Sequence, residues 1–507
     1  MGKKIIFLIL ILLCIICPVY KVEANVQRNF VTLVYPVRGR NLWQSPNLSQ
    51  LDNLFLQLQN YSFASTWLFQ YDALSDKEVV VKFKKDCPNC EFGLFLEISE
   101  RLATNALVSY KGDAEDWARP DKIFMSGYKL LERERLIDQS FRAFKEKFGY
   151  YPKSIGAWYI DSYSLQYIVS RYHPLAFVSV ADQFDTDGQK YWGKPWGFPY
   201  YPGKFDSLSP GNGGDKLNVV SVQWAQRDPT LGYEKSIYAS RHSFQANDYR
   251  NLGRTTDYFS HLVSVYSGDS ANPFSQITIG LEVGQELAQF QDEHLRQLEI
   301  LAQKSNLEKV TLSNFAQWYK KEYPNSPPIS RVSDGKTTWI NSPCYRLGYK
   351  TLSDNGYELF DIRAYDPNSI SPDYLHSDPS HFLSREVTPL LSTLEGDKSI
   401  IVQAANKLFL ADKFQIGETS YDFSVSCTER SNTMGLKMQL LWIRFKEKFS
   451  ATLGLLKSSL IEGKRIIGIQ IRHDALVGFW QGKGVGVYRF PDQILLKFQT
   501  PAGLVYN

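Results

Sequence analysis

Lys153–Asp182 reads KSIGAWYIDSYSLQYIVSRYHPLAFVSVAD. An apolar run, Ser154–Ile160, stops at Asp161. A helical stretch begins near Ser164 and is broken at His173-Pro174. A second apolar run, Leu175–Val180, leads to Asp182. Strand, helix and strand in this order place two strands side by side in a parallel sheet, with the helix on one face.

The same alternation extends in both directions, from Phe30 to about Glu322. Further strands are predicted at Val31–Val37, Ala64–Phe69, Phe92–Ile98, Leu217–Val222, Gln276–Glu282 and Lys309–Leu312. Amphipathic helices lie between several of them. Leu48, Leu51, Leu54, Phe55 and Leu58 share one helical face, as do Ile137, Phe141, Phe144 and Phe148, with Gly149 placed to end the second helix. A third helix is expected from about Gln285 to Ser305. These elements suit a closed barrel of seven or eight strands, occupying residues 25–322. Tyr323–Ile329, YPNSPPI, is too proline-rich for a helix or a sheet interior and reads as part of a linker, 323–330. Beyond it Gly356–Ala364, Gly435–Ile443, Arg465–Ile471 and Gly484–Phe490 read as strands with few helices between them. The expected fold class is α/β: a (β/α)7-8 barrel followed by an antiparallel, sandwich-like β domain over 331–507.

The chain opens with MGKKIIFLILILLCIICPVYKVEAN. Two lysines, an apolar run from Ile5 to Val19 and the small-residue site Val22-Glu23-Ala24 form a signal peptide over 1–24. An uncleaved N-terminal anchor is the alternative and the only route to a membrane. Export makes disulfides permissible. Cys87 and Cys90, in CPNC, suit a local bridge bracing a turn, and a pairing of Cys344 with Cys427 is possible by arithmetic. The net charge of +4, without a Lys/Arg block, gives no footing for a nucleic-acid partner. The 30 tyrosines, 31 phenylalanines and 11 tryptophans either fill large cores or offer stacking faces for sugars.

In parallel α/β barrels the loops at the carboxyl ends of the strands converge on one mouth. Glu97, Asp161, Asp182, Asp228 and Glu282 all follow predicted strands at that end. Trp158, Tyr159, Trp192, Trp196 and Trp224 lie in or beside the same loops, as does Arg227. Paired carboxylates are what glycosidic cleavage requires: one protonates the leaving oxygen and the other attacks carbon or activates water. Each residue has a plainer reading. Asp161 could cap its own helix. Asp185–Gly188, DTDG, could be a turn, and Asp228 before Pro229 an Asx turn. The histidines lack the spacing of a zinc motif, and neither a phosphate-binding loop nor a nucleophile elbow occurs. No metal or other cofactor is expected.

The Lys153–Asp182 block resembles the middle of glycoside hydrolase family 57, where a strand of the form G-x-W-x-P-E carries the nucleophilic glutamate. ASTWLFQYDAL from Ala64, EFGLFLEIS from Glu91 and QITIGLEVG from Gln276 are similar to further strands of the wider glycoside hydrolase/deacetylase superfamily. The resemblance implies a carbohydrate substrate. Asp161 stands at the nucleophile position, one methylene shorter than Glu, which draws the carboxylate back from in-line attack. Gly280 replaces the first acid of the family's D-x-E motif, leaving Glu282. The family 57 H-Q-P motif and the Asp-His-His metal set of the deacetylases are both missing.

The resulting expectation is an exported glycan-processing enzyme, a glycosidase-like hydrolase or transglycosylase. Asp161 would be nucleophile or base and Glu282 the acid, with Asp182 or Asp228 able to replace either. Glu97, Trp158, Tyr159, Trp192, Trp196, Trp224 and Arg227 would hold substrate. The alternative is a catalytically silent glycan-binding or cell-surface protein on the same scaffold.

Overall fold

The structure is a computed structural model. It describes residues 27–395, apart from 46, 113–118, 271, 354–356 and 368, together with strand segments between 400 and 506. The signal peptide, the predicted strand Gly435–Ile443, most of Gly484–Phe490 and the Cys344–Cys427 pairing lie outside the described residues.

The parallel strands are β1 (Arg28–Val37), β2 (Ser65–Phe69), β3 (Glu91–Phe95), β4 (Ser154–Gly156), β5 (Ala176–Val180), β6 (Val220–Trp224), β7 (Phe274–Ile279) and β8 (Leu307–Val310). They run side by side from β1 through β2, β3, β4 and β5 to β6. On its other edge β1 pairs with β7, over Arg28–Leu33 against Phe274–Ile279. The short β8 pairs with Asn29–Thr32 of β1.

Between β6 and β7 a side chain replaces the backbone ladder. Gln226 Nε2 donates to the Gln276 carbonyl at 3.1 Å, and its Oε1 accepts from Thr278 N at 3.1 Å. The result is a nearly closed seven-stranded barrel with β8 set against β1.

The strands are buried on both faces, which is why they read as near-continuous apolar runs. Their alternation sorts side chains into two layers. Val31, Leu33, Tyr35, Val37, Trp67 and Phe69 join the core beneath the outer helices. Val34, Leu68, Phe95, Val178, Val222 and Trp224 point into the barrel, where Phe315 and Tyr319 of the helix Leu312–Glu322 pack against them. Outer helices match the sequence pattern: Gln50–Asn60 buries Leu51, Leu54, Phe55 and Leu58, and Leu130–Phe148 ends at Gly149 with φ 84°. Cys87 and Cys90 are bridged.

After Tyr323–Ile329 the chain forms an antiparallel meander of β9 (Ser330–Ser333), β10 (Thr337–Asn341), β11 (Tyr345–Thr351) and β12 (Tyr357–Ala364). Pro389–Ser392, Ile400–Val402 and Leu504–Tyr506 extend this sheet. A second antiparallel sheet contains Tyr421–Val425, Ile466–Arg472, Ala475–Trp480 and Gln493–Phe498. The meander lies against the barrel: Trp339 stacks flat on Trp196, ring centroids 4.0 Å apart. The strand Leu383–Glu386 pairs in parallel with Gln189–Trp192, one arm of a hairpin that rises from the end of β5.

Candidate functional site at the barrel mouth

The carboxyl ends of five barrel strands deliver polar side chains to one network. Arg38, directly after β1, is 1% exposed. Its Nη2 donates to Glu97 Oε1, beyond β3, at 2.6 Å. Its Nη1 lies 2.8 Å from Glu282 Oε2, beyond β7, as an ion pair without hydrogen-bond alignment. Gln70, after β2, donates to Glu97 Oε2 at 3.2 Å and accepts from Gly39 N at 2.9 Å. Glu286 opens the helix Glu286–Gln303, and its Oε2 accepts from Glu282 N at 2.9 Å. Gln245 Nε2 reaches both Glu286 oxygens, while Gln245 Oε1 accepts from Trp224 Nε1, at the end of β6, at 3.1 Å.

Gly284 makes this assembly possible. Its φ is 95°, and an added Cβ would lie 2.1 Å from the Trp43 ring. The close approach lets Trp43 donate through Nε1 to the Arg38 carbonyl at 2.8 Å.

One buried guanidinium shared by two carboxylates leaves them under-compensated. Burial raises Glu282 to about 7; Arg38 opposes the rise, and Glu97 and Asp187 add to it. Burial raises Glu97 as well, again against Arg38. Burial, followed by the charge of Glu282, holds Glu286 well above the ordinary range. The mouth thus keeps protonated carboxyl groups near neutral pH, as a general acid requires.

The structure gives three of the four predicted catalytic carboxylates structural partners. Asp161 is fully buried and caps the helix Ser162–Tyr172. It accepts from Ser164 N at 2.9 Å, Ser164 Oγ at 2.7 Å and Arg133 Nη1 at 2.7 Å. Asp182 accepts from Gly193 N at 2.9 Å and pairs with the buried Arg346. Asp228 closes an Asx turn on Thr230 N and Leu231 N, at 2.9 and 2.8 Å, and accepts from Tyr258. Glu282 stays at the mouth, joined to Glu97 through Arg38.

Among the predicted binding residues, Trp158 is the aromatic that keeps surface, packed edge-on to Phe95 and Trp224. Trp192 and Trp196 are core residues around Arg346. Tyr159 is buried on Tyr191 and donates to Asp373. Arg227 is spent on the carbonyls of Asp182 and Ser240.

Arg38, Gln70, Gln245 and Glu286 are additions to the predicted set. Arg38 carried a usable signal: an arginine directly after a long apolar strand belongs at the barrel mouth.

No protein-family model matches the chain, and no curated protein does. A solved structure from Parabacteroides distasonis, assigned as a glycoside hydrolase/deacetylase, superposes with TM-score 0.51 at 15% identity. The match covers 71% of this chain and 90% of that one. The chain shares the barrel fold of that structure. A polysaccharide deacetylase of Mycobacterium smegmatis aligns at 9% identity and TM-score 0.35, covering 60% of this chain and 94% of its own. A family 57 branching enzyme of Thermococcus kodakaraensis aligns at 11% and 0.31, covering 57% and 71%.

The departure at Gly280 from the D-x-E motif has a steric cause. A Cβ there would lie 1.8 Å from the Val34 carbonyl oxygen, so the first acid of a D-x-E motif has no room. Among the described residues no group of three His, Cys, Asp or Glu side chains could hold a metal ion. The residues present therefore do not fit the deacetylases' metal, and the chemistry below uses none.

Proposed function

We propose that this chain is an exported glycan-processing enzyme in which Glu282 is the proton donor to a glycosidic oxygen. The observation that carries the reading is Glu282 itself: a buried carboxyl at the barrel mouth, paired with Arg38 and pushed up to about 7 by burial. Arg38 keeps Glu97 and Glu282 at set positions on either side of one guanidinium. When Glu282 gives up its proton, Arg38 stands beside the charge that forms. Trp158, half-buried at the mouth, offers an apolar face to a sugar ring. The likeness of the fold to the Parabacteroides distasonis glycoside hydrolase/deacetylase structure supports a carbohydrate substrate, as does this acid. The charged and apolar opening of the sequence and the Cys87–Cys90 bridge support export, with a mature N-terminus near Asn25. Among the described residues no helix is long and apolar enough to cross a membrane.

The test is release of reducing ends from a panel of soluble polysaccharides and peptidoglycan. Wild type should release them, and Glu282→Gln should be slower by on the order of 10²–10⁴-fold. The capture of Asp161 by its own helix favours a second reading, a glycan-binding protein without turnover. Retarded migration in polysaccharide-containing gels, unchanged in Glu282→Gln, with no release by wild type, would establish that reading instead.

A further inference from the structure

We infer that Gln70 and Glu97 together claim Arg38 and so leave a proton on Glu282, which makes Glu97 a positioning residue for the proposed acid. The inference rests on the glycan-processing reading only for the use made of that proton.

The three side chains of this clamp stand at the ends of neighbouring strands. Arg38 follows β1, Gln70 follows β2 and Glu97 lies beyond β3. Gln70 spans them. Its Oε1 accepts from Gly39 N at 2.9 Å, which orients the amide so that Nε2 faces Glu97 Oε2, at 3.2 Å. Arg38 Nη2 donates to Glu97 Oε1 at 2.6 Å. Both oxygens of Glu97 therefore receive a donor, one of them charged. Glu282 is served differently. Arg38 Nη1 donates to Gln285 Oε1 at 3.2 Å and meets Glu282 Oε2 at 2.8 Å out of line. That oxygen accepts no hydrogen bond among the described residues.

Donors aimed at a carboxylate favour its charged form, and two carboxyl groups beside one buried cation resist ionising together. The hydrogen bonds decide between them: Glu97 takes the charge and Glu282 keeps the proton. Burial raises both groups, so it does not choose. The other groups facing Glu282 reinforce this order. Glu286, on the helix that follows, accepts from Glu282 N, Gln245 and Asn247, and Asp187 adds its charge from the hairpin. Negative charge on either favours a protonated Glu282, and Arg38 is the cation that opposes them.

Full-length protein labelled with carbon-13 at the glutamate carboxyl reports both titrations, assigned with Glu97→Gln and Glu282→Gln. In wild type Glu97 should titrate below Glu282. Gln70→Met preserves the charge of the site and withdraws only the neutral donor from Glu97, so the Glu282 midpoint should fall by roughly half a unit. Glu97→Gln releases the guanidinium to Glu282 and should lower the midpoint by roughly one unit or more. The reverse order in wild type, or an unmoved Glu282 midpoint in either folded variant, would overturn the clamp. The high-pH limb of reducing-end release should move to lower pH with the midpoint in both variants. A limb that stays while the midpoint moves would overturn the positioning role. Moved midpoints in a protein whose wild type releases no reducing ends would uphold the clamp and end the glycan-processing reading.

Discussion

Arg133 and Asp161 form an ion pair of 2.7 Å in which both side chains are fully buried. Arg133 also donates to the carbonyls of Asp373 and His376, so the pair ties the end of β4 to a segment of the C-terminal chain. Removing one partner of such a pair strands the other charge, at about 3–5 kcal/mol. Asp161→Asn should therefore lower the unfolding free energy measured in urea by about 3–5 kcal/mol. Unchanged stability with lost turnover would instead restore Asp161 to the catalytic set.

Glu282 gives stability a definite pH dependence. Its folded pKa, about 7, lies above the ordinary value of 4.5, so the native state binds its proton more tightly. The associated stabilisation is complete below pH 4.5 and disappears as pH rises through 7. Glu282→Gln cannot be ionised. Its melting temperature relative to wild type should therefore climb between pH 5 and pH 8. A constant offset across that range would contradict the raised pKa.

His294 should act on stability from the acid side. It is fully buried, 2.8 Å from Tyr35 Oη and 2.8 Å from Gln297 Oε1, and burial lowers its pKa to about 4 from 6.5. The unfolded chain takes up this proton first. Stability should decline as pH falls from 6.5 to 4. His294→Gln should remove that part of the slope in denaturation curves recorded across the interval.

Gly280 should tolerate no side chain. Gly280→Ala places a carbon against the Val34 carbonyl, a backbone atom that cannot swing aside. Loss of soluble protein, or a destabilisation of about 3 kcal/mol or more, is expected. Gly280→Asp, which would recreate a D-x-E motif, should fare no better.

The barrel was readable because parallel strands buried on both faces leave apolar runs too long to mistake, each closed by a polar residue. Helix faces and the Gly149 stop were legible for the same reason: they are local patterns. The site was only half legible. Glu97 and Glu282 stood out as acids ending strands, but Asp161 and Asp182 share that pattern and turned to Arg133 and Arg346. Arg133 comes from the helix before β4 and Arg346 from β11, 164 positions beyond Asp182, so strand position alone could not separate the two kinds of acid. The tryptophans misled similarly. Trp192 and Trp196 sit in a loop that reads as an exposed rim, and it is Trp339 and Arg346, from beyond residue 330, that cover them.

The pairing of Leu383–Glu386 with the mouth hairpin also sets a schedule for synthesis. Lys190 and Glu386, joined across that pairing at 2.6 Å, are 196 positions apart. A ribosome will have released every barrel strand well before Glu386 emerges, and the nascent barrel meanwhile carries Asp187 on a hairpin with one edge bare. Chain-end truncations before residue 383 should yield a barrel that forms while its rim stays unfinished, so the mouth completes only after the barrel beneath it has been made.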